Sequence, residues 1–135
     1  MEEALKKALV STYMWIMSLD SDLVEFSKRP SKLSSSFREL SGITNNAAQS
    51  ILMAAVNSGF LSHDEFMNRV DFSFGQFDTN KTPKEKLAFA KNGASFARKM
   101  SNPTSPLLPK GNDVDYHYMN GLVKMAEGWL NQISL

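Results

Sequence analysis

The chain has 135 residues, of which 42% are hydrophobic and 21% charged, with a formal net charge of +1 and no cysteine. That length suits one domain able to bury about two thirds of its unfolded surface, and the ordinary composition argues against global disorder or a fibrous class. The missing thiols exclude disulfides, thiolate zinc sites and cysteine nucleophiles. A near-neutral balance gives no global attraction to polyanions, so any nucleic-acid case rests on where the charges lie.

The first segment carries an apolar patch from Tyr13 to Met17, preceded by Glu2, Glu3 and the lysines and followed closely by Asp20. It is too short and too charged to span a bilayer or to serve as a signal peptide, which leads to the expectation of a cytoplasmic protein without a membrane partner. Leu5, Leu9, Thr12, Tyr13 and Ile16 fall on one side at helical spacing, so a first amphipathic helix is predicted over about 2–17, with room to extend to Phe26. Ser27-Lys28-Arg29-Pro30 breaks it, since proline disfavours helical geometry in the residue before it.

A second helix is predicted from Lys32 or Ser34 to Leu40. A turn follows at Ser41-Gly42-Ile43-Thr44, and a third, uncharged helix runs from Thr44 or Asn45 to Asn57, stopped at Ser58-Gly59 by a glycine able to adopt the left-handed conformation. Ser62 and Glu65 have capping-box spacing and predict a short fourth helix to about Arg69. Val70, Phe72 and Phe74 then alternate with Asp71 and Ser73, the period of an extended segment, expected somewhere in 70–77. Thr82-Pro83-Lys84-Glu85 is the strongest helix start in the chain and predicts a helix to about Met100. The stretch 101–111 holds three prolines in eleven residues and reads as a surface loop or hinge. A last helix is predicted from Asn112 or Asp113 to Ile133, where Gly121 and Gly128 suggest close packing on one side.

The expected architecture is therefore all-α, a single compact domain over 1–135 with five or six helices. Leu9, Tyr13, Ile16, Phe37, Leu40, Ile51, Leu52, Val56, Phe60, Phe89, Phe96, Val123 and Leu130 are expected to supply much of the core.

Residues 34–61 carry the one modest functional signature. Phe37, Leu40, Gly42, Ile43, Ala48, Ile51, Leu52 and Val56 can fill the apolar and turn positions of a helix-turn-helix, and the segment resembles the recognition region of winged-helix and related bacterial regulators. That resemblance implies a non-enzymatic regulator of transcription that binds DNA. Asn45, Asn46 and Gln49 would approach base edges, because paired donors and acceptors can read adenine, while Lys28, Arg29, Lys32 and Arg38 would neutralise phosphates. A homodimer is the expected partner arrangement for palindromic DNA. Two departures stand out: Arg38 falls near the position usually held by a small residue, and the candidate recognition helix has no lysine or arginine. An ordinary helical hairpin with a buried, uncharged second helix accounts for the same pattern.

A second feature is the helix after Thr82. Lys84, Lys91, Arg98 and Lys99 gather on one side at 100° per residue, a basic face that suits an acidic protein partner and supports the alternative of an interaction module such as an inhibitor, immunity factor or adaptor. Six of the nine phenylalanines lie from Phe66 to Phe96. They would suit base stacking if exposed, but core packing is the expected fate of most. Asp113 and His117, four apart, are too few ligands for a metal. No nucleophile elbow, phosphate loop or paired-carboxylate motif is present, so neither catalytic residues, a metal nor a cofactor is assigned.

Overall fold

The computed structural model describes residues 2–106 and 113–135 and contains five helices among them: α1 (Glu2–Lys28), α2 (Ser34–Asn57), α3 (His63–Phe74), α4 (Pro83–Met100) and α5 (Tyr116–Leu130). The register of each pair follows from side-chain partners. Asp20 on α1 faces Ser41 and Thr44 on α2, and Phe26 meets Phe37, so α1 and α2 are antiparallel. Asp22 meets Lys86 and Trp15 stacks on Phe89, which sets α4 antiparallel to α1. Lys91 reaches the Ile133 carbonyl and Arg98 reaches Glu127, so α5 runs back along α4. The backbone N–H of Asp115 donates to the Ser58 carbonyl, placing the start of α5 beside the end of α2. The result is a four-helix ring in the order α1, α2, α5, α4, whose diagonal backbones stay apart.

Helices α2 to α5 each carry a local start or stop signal. Thr82 and Glu85 form a complete capping box at α4, with Pro83 at its first position, and this pairing with the Thr82 backbone and hydroxyl holds the Glu85 carboxyl below its ordinary range. Ser62 caps α3 by accepting from the Glu65 N–H at 3.1 Å. The predicted stop of α2 is present: Gly59 has φ of 81°, Gly59 N–H donates to Val56 and Phe60 N–H donates to Ala55, the two bonds of a Schellman motif. At α5 the cap is Asp115, accepting from Tyr118 N–H at 3.0 Å, rather than Asp113; Asn112 lies outside the described residues, as does 107–111 of the proline-rich stretch.

The predicted turn at 41–44 is absent, because α2 is one unbroken helix of 24 residues. The physical reason lies on α1: Asp20 Oδ1 accepts from Ser41 Oγ at 2.7 Å and from Thr44 Oγ1 at 2.8 Å. Ser41 and Thr44 sit three apart on one helical face, so continuing the helix lets both hydroxyls reach one carboxylate. Gly42 points away from that contact, into open space. The extended segment near 70–77 is likewise replaced by helix to Phe74, since Phe66, Met67 and Val70 pack inward at a period of 3.6, not 2.

The core combines branched residues with small ones. Leu5, Leu9, Ile16, Leu19, Leu23, Ile51, Val123 and Leu130 are buried, and alanines at 47, 48, 54, 55, 90, 94, 97 and 126 line the seams between helices. Phe37, Leu40 and Leu52 are partly buried, whereas Phe89 and Phe96 are exposed, contrary to the core expectation. The close approach expected at Gly121 and Gly128 occurs instead at Gly93, where an added Cβ would collide with the Thr12 side chain on α1; both α5 glycines face open space.

Gly42→Ala is expected to stabilise the fold by about 0.5–1 kcal/mol, since the site is an exposed helix interior. Gly59→Ala, forced to hold a positive φ, is expected to cost about 1–2 kcal/mol. Paired chemical denaturation measures both; a loss of stability in Gly42→Ala would restore a turn there.

Candidate functional site

Helices α2 and α4 both run antiparallel to α1, so the chain leaving α2 must travel back along the bundle before α4 can begin. Helix α3 and the connection 75–82 make that return on the outside of α1. The helix is held thinly. Phe66 is its one fully buried side chain and meets the Tyr13 ring edge-on at 5.3 Å. A charged cluster fastens its first half: Arg69 donates to both Glu3 carboxylate oxygens at 2.8 and 3.1 Å, and Lys6 lies 3.6 Å from Glu65 and above the Phe60 ring. The hydrogen bond from Arg69 is the main reason the Glu3 carboxyl is held below its ordinary value of 4.5, and the same bond raises Arg69.

Because α3 stands off α1, a recess opens on each side of it. The smaller, about 420 Å³, has walls from Tyr13, Met14, Met17, Val70 and Phe74, with the Asp22–Lys86 ion pair at 2.7 Å on its border. The larger, about 1080 Å³, lies along the other flank. Its wall on α1 is Glu3, Lys7, Val10, Ser11, Met14 and Trp15, one face over three turns; across from it stand Asp64, Asn68 and Phe72 of α3, then Phe77 and Asp78 of the connection.

Beside this larger groove the surface is aromatic. Trp15 stacks on Phe89 at 4.5 Å and 12° and leans on Phe77 at 4.2 Å. Phe72 is 80% exposed and Phe96 51%. Of the six phenylalanines from Phe66 to Phe96, four are exposed large side chains, so core packing is not the fate of most. The rim carries both signs: Arg69 pairs with Glu3, Lys6 with Glu65 and Lys81 with Asp78 at 3.9 Å, and Lys7 and Asp64 also line it.

The residues singled out from the sequence are distributed over other faces. Asn45, Asn46 and Gln49 are exposed on the outer side of α2, and Arg38, Asn45 and Gln49 fall on one helical stripe. Lys28, Arg29, Lys32 and Arg38 are exposed too, but the first three cluster around the α1–α2 connection. Lys28 is 3.5 Å from Glu25, and Arg29 lies over the Phe26 ring. With α2 unbroken, a helix-turn-helix does not bring these groups onto one convex surface. On α4 the four cations divide. Lys84 and Lys99 are exposed, whereas Lys91 donates to the Ile133 carbonyl at 3.3 Å and Arg98 Nε donates to Glu127 at 2.9 Å. Helix α5 covers that side, which a helical wheel of α4 alone does not reveal. The sequence reading missed Trp15, Phe72, Asp64 and Asp78. Its one available signal was the crowding of phenylalanine after Phe66.

No family model matches this chain, and no curated protein or solved structure matches it. No helix of the described residues is long and apolar enough to cross a membrane.

Acidification should loosen α3 before the bundle. Glu3 has a lowered pKa in the folded state, so its contribution is complete above its ordinary value of 4.5 and is lost as pH falls through the lower folded value. Amide exchange between about pH 6 and about pH 3 is expected to show α3 losing protection earlier than α1, and Glu3→Gln is expected to weaken α3 at neutral pH and flatten this dependence. Equal pH dependence in α1 and α3 would contradict it.

Proposed function

We propose that this protein is a non-enzymatic helical module that binds a partner protein on the face built by α1, α3 and α4. The observation that carries the reading is the exposure of Phe72 on a groove bordered by Trp15 and Phe77, with the exposed Phe89 stacked on Trp15 beside it. Exposed aromatic rings beside an apolar-floored groove are the kind of surface that anchors protein partners, because each ring removes a large area from water at little conformational cost. The partner surface therefore shifts from the α4 cations, two of which are engaged within the molecule, to the flank of α3.

A photo-crosslinking amino acid in place of Phe72 is expected to yield a discrete protein adduct in the source cell, while the same group in place of Asn45 on α2 yields none. Absence of any adduct from position 72 under repeated growth conditions would remove this reading.

The exposed amides of α2 favour a second reading, DNA contact through Arg38, Asn45, Asn46 and Gln49 with Lys28, Arg29 and Lys32 on phosphates. Arg38 is the one cation on that stripe, so affinity would come mainly from the α1–α2 connection. If four cations meet phosphates, affinity for mixed duplex DNA is expected to drop about 10²-fold between about 50 mM and about 200 mM salt. Absence of binding in an anisotropy titration at the lower salt would dismiss it.

A further inference from the structure

We propose that the smaller recess, between α1, α3 and the first turn of α4, binds a small uncharged molecule that joins an apolar ring to a carboxamide-like head. This site lies on the opposite flank of α3 from the partner groove and stands independently of the partner-binding reading. Three properties of the recess select the ligand.

The first is an apolar half of suitable size. The volume is about 420 Å³, within the range of about 300–1,000 Å³ typical of small-molecule sites. Tyr13 and Met14 are buried, Met17, Val70 and Phe77 are half-buried, and Phe74, 66% exposed, stands at the edge. Thioether and aromatic walls accommodate a flat ring, which gains both burial and ring contact there.

The second is a polar half whose hydrogen-bonding capacity is not used by the fold. Ser18, Ser21 and Asp22 follow Met14 at spacings of three and four, so they continue the same face of α1. Elsewhere on this helix Thr12 and Ser27 turn their hydroxyls back to the Ala8 and Val24 carbonyls; among the described residues the Ser18 and Ser21 hydroxyls have no protein partner. Lys86 is 5% exposed, and an ammonium carries three donors. Asp22 Oδ2, at 2.7 Å, is its one acceptor among the described residues. A buried donor short of acceptors favours a ligand that brings one.

The third is balanced charge. Lys86 and Asp22 both line the recess and neutralise each other, so a ligand carboxylate would meet Asp22 and a ligand ammonium would meet Lys86. Asp22 Oδ1 accepts from no described residue. A neutral carboxamide matches both members of the pair, its carbonyl accepting from Lys86 and its N–H donating to Asp22.

Amide NMR titrations of the full chain with benzamide, benzoate and benzylammonium test this. Benzamide is expected to shift amides within 13–22 and 70–79 saturably, with a Kd on the order of 1 mM for so small a ligand, and each charged analogue to bind at least about fivefold more weakly. Thr79→Trp, at an exposed position on the border, is expected to block the recess and abolish these shifts while circular dichroism stays unchanged. Asp22→Asn leaves the Lys86 charge uncancelled and is expected to reverse the preference, so that benzoate binds more tightly than benzamide. Absence of saturation, equal affinity for all three probes, or shifts that persist in Thr79→Trp would overturn the site. A preference unmoved by Asp22→Asn would overturn the assignment of the head group to the ion pair.

Discussion

The direction of two helices governs most of this structure. Because α2 and α4 both run antiparallel to α1, they lie on one diagonal of the ring and point the same way, and no short turn can join them. The chain must climb back along the outside of the bundle, and α3 with its connection is that climb. A segment so placed has one side to bury, not two. It buries Phe66 against Tyr13 and fastens itself by the Glu3–Arg69 fork, leaving Phe72 and Phe74 in water and open recesses on both flanks.

The register of the ring is fixed by small polar and small apolar contacts around a core of buried leucine, isoleucine and valine. Asp20 accepting from Ser41 and Thr44 sets the register of α1 against α2, and a one-turn slip would leave a half-buried carboxylate without those donors. Thr12 against Gly93 sets the approach of α1 to α4. Lys86, almost wholly buried, is paired with Asp22 on the same pair of helices, and that pairing is the condition under which a buried ammonium is tolerated. Alanine along α2 and α4 lets the helices approach closely, so much of the conventional bulk in the chain is not needed inside. Phenylalanine is thereby released to the surface, where it is available to a partner.

Charge then separates the faces. The cations on α4 that looked like a continuous stripe are partly consumed by α5, through Glu127 and the Ile133 carbonyl. The α2 face stays polar and nearly uncharged, which suits solvation and leaves any contact with phosphates to the distant cations of the α1–α2 connection.

Local chemistry was legible in the sequence wherever the determining groups are neighbours along the chain. The Thr82–Glu85 capping box, the Ser62 cap and the Gly59 stop each depend on atoms within about five residues, and all are present. So are the all-helical class and the buried positions of Leu9, Tyr13, Ile16, Ile51, Val123 and Leu130. What failed were readings that needed to know what lies opposite. Gly42 reads as a turn until Asp20 supplies a reason for Ser41 and Thr44 to share one helical face. Val70, Phe72 and Phe74 read as a strand until Tyr13 buries Phe66 and imposes the helical period. Phe89 and Phe96 read as core until alanine-lined seams leave them no interior to fill. The sequence alone determined the all-helical class, the capped starts of α3 and α4 and the stop of α2, because those outcomes are set by short-range hydrogen bonds. Only the tertiary structure decided which faces remain open, because exposure depends on partners brought together from distant parts of the chain.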